Sequence, residues 1–404
     1  MKAENYFVTK LRQLESNNLA RDPCIYEKIY DKNKKFFLDK NQDGLKLISF
    51  ADNDYLGLTD YYKLKKVAIK ATEKYGVGAG SSRYITGNNV FYQKIEEKIA
   101  KIKNREASLL FSSGYSVAVG VVPALVGRGD LVVADRLIHS CLIDGIKLSG
   151  AKMMRFAHND TINCEKILMQ NRHLFSRCLI VSESIFSMDG DVGKINDLWS
   201  LAKKFNSGLL IDEAHSFGVK DFTIPKKYLA KKYLAKKDLA KKDLSIKNSV
   251  FYLQMGTLSK AVGVIGGYVA GNEIIIKYLK NFAKTAIYST ALPPAVLASI
   301  YESLKIIAKG NRAFKAWRNV DYFCDLMKFP KPQSLIVPII VGDNKRVLDI
   351  ANYVKNQGFI ISAIRPPTVP VGEARLRITF STNHRKKDIE KLAKIVKKSL
   401  KIWG

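Results

Sequence analysis

The sequence predicts an α/β fold: a large domain on a mainly parallel sheet, with a smaller α+β domain built from the chain ends. Three observations carry this. Short continuous apolar runs, Ser108-Leu109-Leu110-Phe111, Asp130-Leu131-Val132-Val133-Ala134-Asp135, Leu179-Ile180-Val181-Ser182-Glu183 and Leu209-Leu210-Ile211-Asp212, lack polar alternation, as expected for strands buried on both faces of a sheet. Helical stretches such as Asp197 to Phe205 separate them. The chain has 404 residues, enough for a large domain with a companion.

The expected organisation is an amino-terminal helix and arm over 1–48, a large domain over 49–300 and a small domain over 301–404. Residues 1–45 read as a polar helix followed by an irregular arm, and 49–58 as a turn-rich entry. A helix from about Lys63 to Tyr75 stops at Gly76-Val77-Gly78-Ala79-Gly80. These glycines are not a dinucleotide fingerprint, which needs a strand before the glycines and a helix opening from them. A long helix is expected to end near Ala308, followed by a strand over Ser334 to Val341 and a helix near Lys345 to Gln357. Strands over Phe359 to Ala363 and Arg375 to Ser381 come next, then a final helix with Ile389, Leu392, Val396 and Trp403 close to one face.

Residues 226–245 are four pentads, KKYLA, KKYLA, KKDLA and KKDLS. A five-residue period rotates each leucine by about 140° on a helix, so no single apolar face forms. The repeat reads as an exposed insertion.

The net charge is +30, which raises the question of nucleic-acid binding. Lysine outnumbers arginine 51 to 16 across the whole chain, and residues 226–245 and 385–401 supply +12 of the excess. That is a compositional bias rather than an arginine-rich reading surface, so no specific nucleic-acid role is expected. No apolar run reaches the roughly 18 residues of a membrane span and the start lacks the apolar core of a signal peptide, which makes a cytoplasmic address the default. Five scattered cysteines without a C-x-x-C pair suggest neither a disulfide framework nor a metal site.

In a parallel sheet the ligand binds beyond the carboxyl ends of the strands. Polar residues there are Ser113-Gly114-Tyr115, His139, Ser187 with Asp189, and Asp212 with His215. After a further strand comes Lys260, among the small residues Thr257, Ser259, Ala261 and Gly263. An amine, a carboxylate and an imidazole along one sheet edge suit pyridoxal 5′-phosphate. The lysine carries the aldehyde, the aspartate keeps the ring nitrogen protonated and a flat side chain stacks on the ring.

At the level of motifs the chain resembles the α-oxoamine synthases, which have the aminotransferase-like fold (fold type I) and join an amino acid to an acyl thioester with loss of carbon dioxide. The resemblance runs from about Ser49 to Ser381. It rests on NDYLGL at 53–58, GVGAGSSRYITG at 76–87, FSSGY at 111–115 and ESIFSMDGD at 183–191, with DEAHSFG at 212–218, TLSKAVG at 257–263 and IYSTALPP at 287–294. The stretch Ala363 to Pro370 looks most like the branch that joins L-alanine to a pimeloyl thioester in biotin synthesis. Other members, using glycine with acetyl-CoA or succinyl-CoA, or serine with a long acyl-CoA, are the alternatives. A silent partner subunit or a basic polyanion-binding protein is the alternative outside the enzymes, and Lys260 argues against the silent partner.

The resemblance implies that Lys260 holds the cofactor and moves a proton at the substrate Cα. It further implies that Asp212 pairs with the pyridine nitrogen, His215 and Ser187 reach the phenolic oxygen, and His139 stacks on the ring. Ser113, Gly114, Tyr115 and Thr257 would surround the cofactor, and Ser289 and Thr290 would reach the phosphate of a neighbouring subunit in a homodimer. Arg365, with Asn53 and Thr368, would hold the substrate. The family's glycine-rich turn after DEAHSFG is replaced here by residues 220–245.

Overall fold

The computed structural model describes residues 3–31, 34–41, 44–220 and 250–403; the pentads at 226–245 lie outside the described residues. The described chain divides into two compact units, one of Met1–Tyr55, Ser187–Gly190 and Arg312–Gly404, the other of Leu56–Phe186 and Asp191–Asn311.

The first unit opens with helix α1 (Ala3–Ser16) and strands β1 (Tyr26–Asp31), β2 (Lys34–Asp39) and β3 (Leu45–Ser49), an antiparallel meander. The irregular arm expected from sequence is therefore a sheet. Its alternation is hidden because β2 opens with two lysines followed by two phenylalanines, Lys34-Lys35-Phe36-Phe37, and because β3 is held partly by a parallel strand from the other end of the chain. Leu47 is buried and pairs in register with Phe37.

The second unit begins with α2 (Tyr62–Tyr75), which ends at Gly76 with a φ of 82° that favours glycine. Then follow α3 (Phe91–Lys103), β4 (Ala107–Phe111), α4 (Gly114–Leu125), β5 (Leu131–Asp135), α5 (Ser140–Ser149), β6 (Lys152–Phe156) and α6 (Thr161–Asn171). They continue with β7 (Cys178–Glu183), α7 (Ile195–Lys204), β8 (Gly208–Asp212), β9 (Tyr252–Thr257), β10 (Gly267–Gly271), α8 (Glu273–Phe282), α9 (Lys284–Ile287) and α10 (Pro294–Ile307). Among the described residues these strands form a seven-stranded sheet in the order β4-β10-β9-β8-β7-β5-β6. The pairs among β6, β5, β7, β8 and β9 are parallel, and β10 runs antiparallel to both its neighbours.

The apolar runs explain the layers. Successive strand residues point to opposite faces. Thus Val132, Leu179, Val181 and Leu210 enter a core with α4 and α5, whereas Leu131, Val133, Ile180, Leu209 and Ile211 enter one with α6 and α7. Both faces are covered, which is why these strands carry no polar alternation.

The first unit resumes with α11 (Asn311–Met327), β11 (Ile336–Gly342), α12 (Asn344–Asn356), β12 (Phe359–Ile360), β13 (Ser362–Ile364), β14 (Ala374–Thr379) and α13 (Lys386–Trp403). The single strand expected over Phe359 to Ala363 is two. β12 joins β3, while β13 joins β14, and Ile361 at the switch is buried. The alternation Arg375, Arg377 against Leu376, Ile378 does not separate a wet face from a dry one, since every residue of β14 is buried. On α13, Ile389, Leu392 and Val396 are fully buried, and Trp403 reaches the Tyr353 ring at 5.4 Å.

Candidate active site

The chemistry-bearing residues of the second unit stand where its strands end. β7 and β8 are in parallel register with Glu183 opposite Asp212, so two carboxylates close the carboxyl ends of adjacent buried strands. Both are almost fully buried. Burial pushes the Asp212 carboxyl up, and the nearby Lys260 ammonium together with the Ala214 N–H, which donates to Asp212 Oδ1 at 2.8 Å, pulls against it. Burial pushes Glu183 well above the usual carboxylate range, and repulsion from Asp212 adds to the shift.

His215 follows β8 by three residues, and its Nε2 lies 2.6 Å from Lys260 Nζ. Lys260 sits in the connection between β9 and β10. That connection is fixed by Leu258 N–H donating to the Gly266 carbonyl at 2.8 Å, Val264 N–H to the Leu258 carbonyl at 3.0 Å and Gly263 N–H to the Lys260 carbonyl at 3.0 Å. Gly263 has a φ of 75°, and a Cβ there would lie 2.8 Å from the Thr59 nitrogen, so only glycine fits the turn.

His139 follows β5 and caps α5. Its Nδ1 accepts the Cys141 N–H at 3.2 Å, which leaves Nε2 as the protonated nitrogen of a neutral ring. Burial holds its pKa below the ordinary value, with Asp212 opposing. The His139 N–H donates to Glu183 Oε1 at 2.5 Å, so Glu183 fixes the backbone from which this imidazole projects.

Ser113 caps α4, its Oγ accepting the Ser116 N–H at 3.0 Å. The first-turn N–H groups of Gly114 and Tyr115 are those that a helix leaves without intrahelical acceptors, a suitable place for a phosphate. A Cβ at Gly114 would stand 2.9 Å from the Thr257 Cβ, so the helix start and the end of β9 approach as closely as two chains can. Thr257 Oγ1 lies 2.8 Å from Ser259 Oγ, and Tyr115 donates its hydroxyl to Asp144 at 2.7 Å. Ser289 and Thr290 lie on a partly exposed segment, where Thr290 forms a β-bridge with Ser82. Beneath Asp212 a buried polar group is centred on Glu213, which meets Lys103 Nζ at 2.9 Å, Gln254 Nε2 at 2.6 Å and the Tyr268 hydroxyl at 3.2 Å.

The other expected site residues fall in the first unit. The Ser187 carbonyl accepts from Arg377 Nε at 2.6 Å, and Asn53 Oδ1 accepts from Arg377 Nη2 at 3.1 Å and from the Tyr55 hydroxyl at 3.2 Å. Asn53 thus stands beside Arg377. Arg365 donates to the backbone carbonyls of Asn18 and Ala20, and Arg21 donates to the Thr368 hydroxyl at 3.0 Å. Arg375 is buried, paired with Asp189 and with Glu373. Sequence reading gave no role to Glu183. Its signal is an acid that ends a strand otherwise buried and apolar, one strand away from a second acid.

Residues 46–396 match the aminotransferase class I and II family. The chain belongs to that family. Within it, the 8-amino-7-oxononanoate synthase of Beijerinckia indica is 39% identical over 355 residues, covering 88% of each chain. Among solved structures, the serine palmitoyltransferase of Sphingomonas wittichii superposes with a TM-score of 0.85 at 22% identity, covering 100% of this chain and 98% of that one. The 8-amino-7-oxononanoate synthase of Francisella tularensis superposes with a TM-score of 0.68 at 27% identity, covering 88% of this chain and 98% of that one. The first of these structures speaks for the fold alone. The fold is thus the aminotransferase-like α/β arrangement with a mostly parallel sheet.

As a member of the aminotransferase class I and II family the chain is an enzyme that uses pyridoxal 5′-phosphate. The residues of the second unit fit that group. They provide an amine at Lys260, a buried carboxylate at Asp212 that lacks full solvation, and a helix start with free N–H directions at Gly114 and Tyr115. No helix among the described residues is long and apolar enough to cross a membrane.

Proposed function

We propose that this chain condenses L-alanine with a pimeloyl thioester, with loss of carbon dioxide, to form 8-amino-7-oxononanoate in biotin synthesis. The observation that carries this is the 39% identity across 88% of the chain to a relative of that name, joined to a lysine, an imidazole and a buried carboxylate at the strand ends of the family's fold.

Bound pyridoxal phosphate supplies an aldehyde that captures an amine and a ring that withdraws electrons from Cα. Asp212 holds a proton on the ring nitrogen; a carboxylate whose charge is poorly solvated gains most from a cation brought beside it. Lys260 removes the Cα proton of alanine and later returns one to the same carbon. His215, 2.6 Å from the amine, steadies Nζ and shares its proton. His139, held neutral and oriented by Cys141 and Glu183, presents a flat ring face. Ser113, Gly114, Tyr115 and Thr257 hold the phosphate end, and Ser187 takes the phenolic oxygen. Arg365, Asn53 and Thr368 receive the substrate carboxylate once Arg365 exchanges its carbonyl partners for it. A homodimer, in which Ser289 and Thr290 serve the neighbouring site, is supported by the exposure of Tyr288 and Thr290. Free cysteines, four of the five buried, suit a reducing cytoplasmic setting.

The test is turnover of alanine, glycine and serine against pimeloyl, acetyl and succinyl thioesters by the full chain. Alanine with a pimeloyl thioester is expected to lead by more than tenfold; a higher rate with glycine or serine overturns the assignment.

A further inference from the structure

The imidazole of His158 is clamped between two carboxylates. It lies on the turn after β6, with Nδ1 3.0 Å from Asp135 Oδ1 and Nε2 2.9 Å from Asp191 Oδ2. A neutral histidine can donate from one ring nitrogen only, so two carboxylate acceptors require the imidazolium. Asp135 is the last residue of β5, fully buried, and also accepts the Leu137 N–H at 2.8 Å and the Asn159 N–H at 2.9 Å. Asp191 also receives Asn159 Nδ2 at 2.6 Å. The charged groups that face the ring are Asp135 from β5 and Asp191 from the loop after β7; from its own turn comes the uncharged Asn159, and Phe186 meets it edge-on at 4.3 Å.

What the clamp joins gives it meaning. Asp135 starts the turn that ends at His139, four residues on. Asp191 lies beyond the end of β7, where the Phe186 N–H donates to the Asp191 carbonyl at 3.1 Å and the Gly193 N–H to the Ser184 carbonyl at 3.1 Å, so the residues just after Glu183 are held on the same clamp. Two carboxylates facing each other would repel, and the cation between them turns that repulsion into a tie.

We propose that His158 is a positioning residue: its imidazolium ties the turn that sets His139 to the segment that closes on the end of β7, so that cofactor affinity depends on this ring remaining protonated. Burial pushes the ring down, but its bonds to Asp135 and Asp191 raise it to about 10. At neutral pH the clamp is therefore closed, and it opens only in strong alkali. The inference rests on the reading of His139 as a cofactor contact.

The test uses the full chain. With five histidines in the sequence, nitrogen-15 labelling of histidine gives a spectrum of five rings, and His158 is assigned by its loss in His158→Gln. One ring, that of His158, is expected to remain doubly protonated at pH 9. The dissociation constant of pyridoxal phosphate, followed by visible absorbance, is expected to rise roughly tenfold or more in His158→Gln. Asp191→Asn, which keeps the shape and removes one charge, is expected to lower the titration of the ring and to shift the alkaline loss of cofactor affinity downward by the same amount. A ring that titrates near 6.5, or an affinity that does not follow the ring in Asp191→Asn, overturns the proposal. If the wild type takes up no cofactor at all, the parent reading falls with it; if it does and only the coupling is missing, this inference alone falls.

Discussion

Two groups of buried charge, one in each unit, are held in opposite ways. In the first, Arg375 and Arg377 are cations sealed inside a strand, and each is answered: Arg375 by Asp189 and Glu373, Arg377 by the Ser187 carbonyl and Asn53. In the second, Asp212 and Glu183 are acids sealed at adjacent strand ends and pushed up by burial, with Glu183 further raised by its neighbour. Satisfied charge of the first kind holds a fold together. Acids of the second kind are held above their ordinary range by burial despite their partners, as expected of groups that bind or react.

The comparison can be broken most sharply at Lys260. Lys260→Ala is expected to lower turnover by roughly a thousandfold or more and to abolish the visible absorbance of bound cofactor, with little change in thermal unfolding of the cofactor-free chain. An unchanged spectrum would remove the amine from the centre of the site. Asp212→Asn is expected to cost about a hundredfold in turnover. The same change should alter the pH dependence of the cofactor-free chain. An acid whose folded pKa is raised stabilises the fold below its unfolded value, and that contribution disappears as pH rises through the folded one. Denaturation midpoints measured from pH 4 upward should therefore fall less steeply in Asp212→Asn than in the wild type.

In the first unit the expected effects are on stability. Arg377→Ala empties the buried place of the guanidinium and takes one donor from the partly buried Ser187 carbonyl and from Asn53, which keeps the Tyr55 hydroxyl; it is expected to cost about 3 kcal/mol, with Arg377→Met milder because it fills the space. Urea unfolding distinguishes the two. His384 gives the most specific effect, one confined to acid. It stacks on Phe50 with ring centroids 3.8 Å apart, its Nδ1 accepts the Ser381 N–H at 3.2 Å and its Nε2 donates to the Ser49 carbonyl at 2.9 Å, a pattern only the neutral ring satisfies. Burial lowers its pKa to about 4. The unfolded chain takes up a proton near 6.5 and the folded chain does not, so stability is full above 6.5 and is lost as pH falls towards 4, by up to about 3 kcal/mol. His384→Gln should remove that acid limb from the midpoint curve.

The layered sheet was legible because strands buried on both faces leave an unmistakable run of apolar residues, as in Leu131–Asp135 and Cys178–Glu183. The meander of β1 to β3 was not, since Lys34-Lys35-Phe36-Phe37 breaks the polar alternation of a strand and its closing partner, β12, is remote in sequence. The break at Ile361 was hidden for a related reason: which sheet a short strand joins depends on its partners. Lys260 and Asp212 could be placed by their position after strands. The 2.6 Å approach of Lys260 to His215, 45 residues apart, could not, nor could the bond by which Glu183 fixes His139. Spacing along a chain says little about which strand ends become neighbours.

Strand β10 has one more consequence. Every parallel neighbour in this sheet is reached through a helical crossover or a long excursion, whereas β9 and β10 are antiparallel, with Thr257 opposite Gly267, and are joined by the short connection that carries Lys260. The lysine is on a leash clipped at both ends. With the turn pinned by the Leu258, Val264 and Gly263 N–H groups, the reach of the amine is set by rotations along its own four-carbon stem.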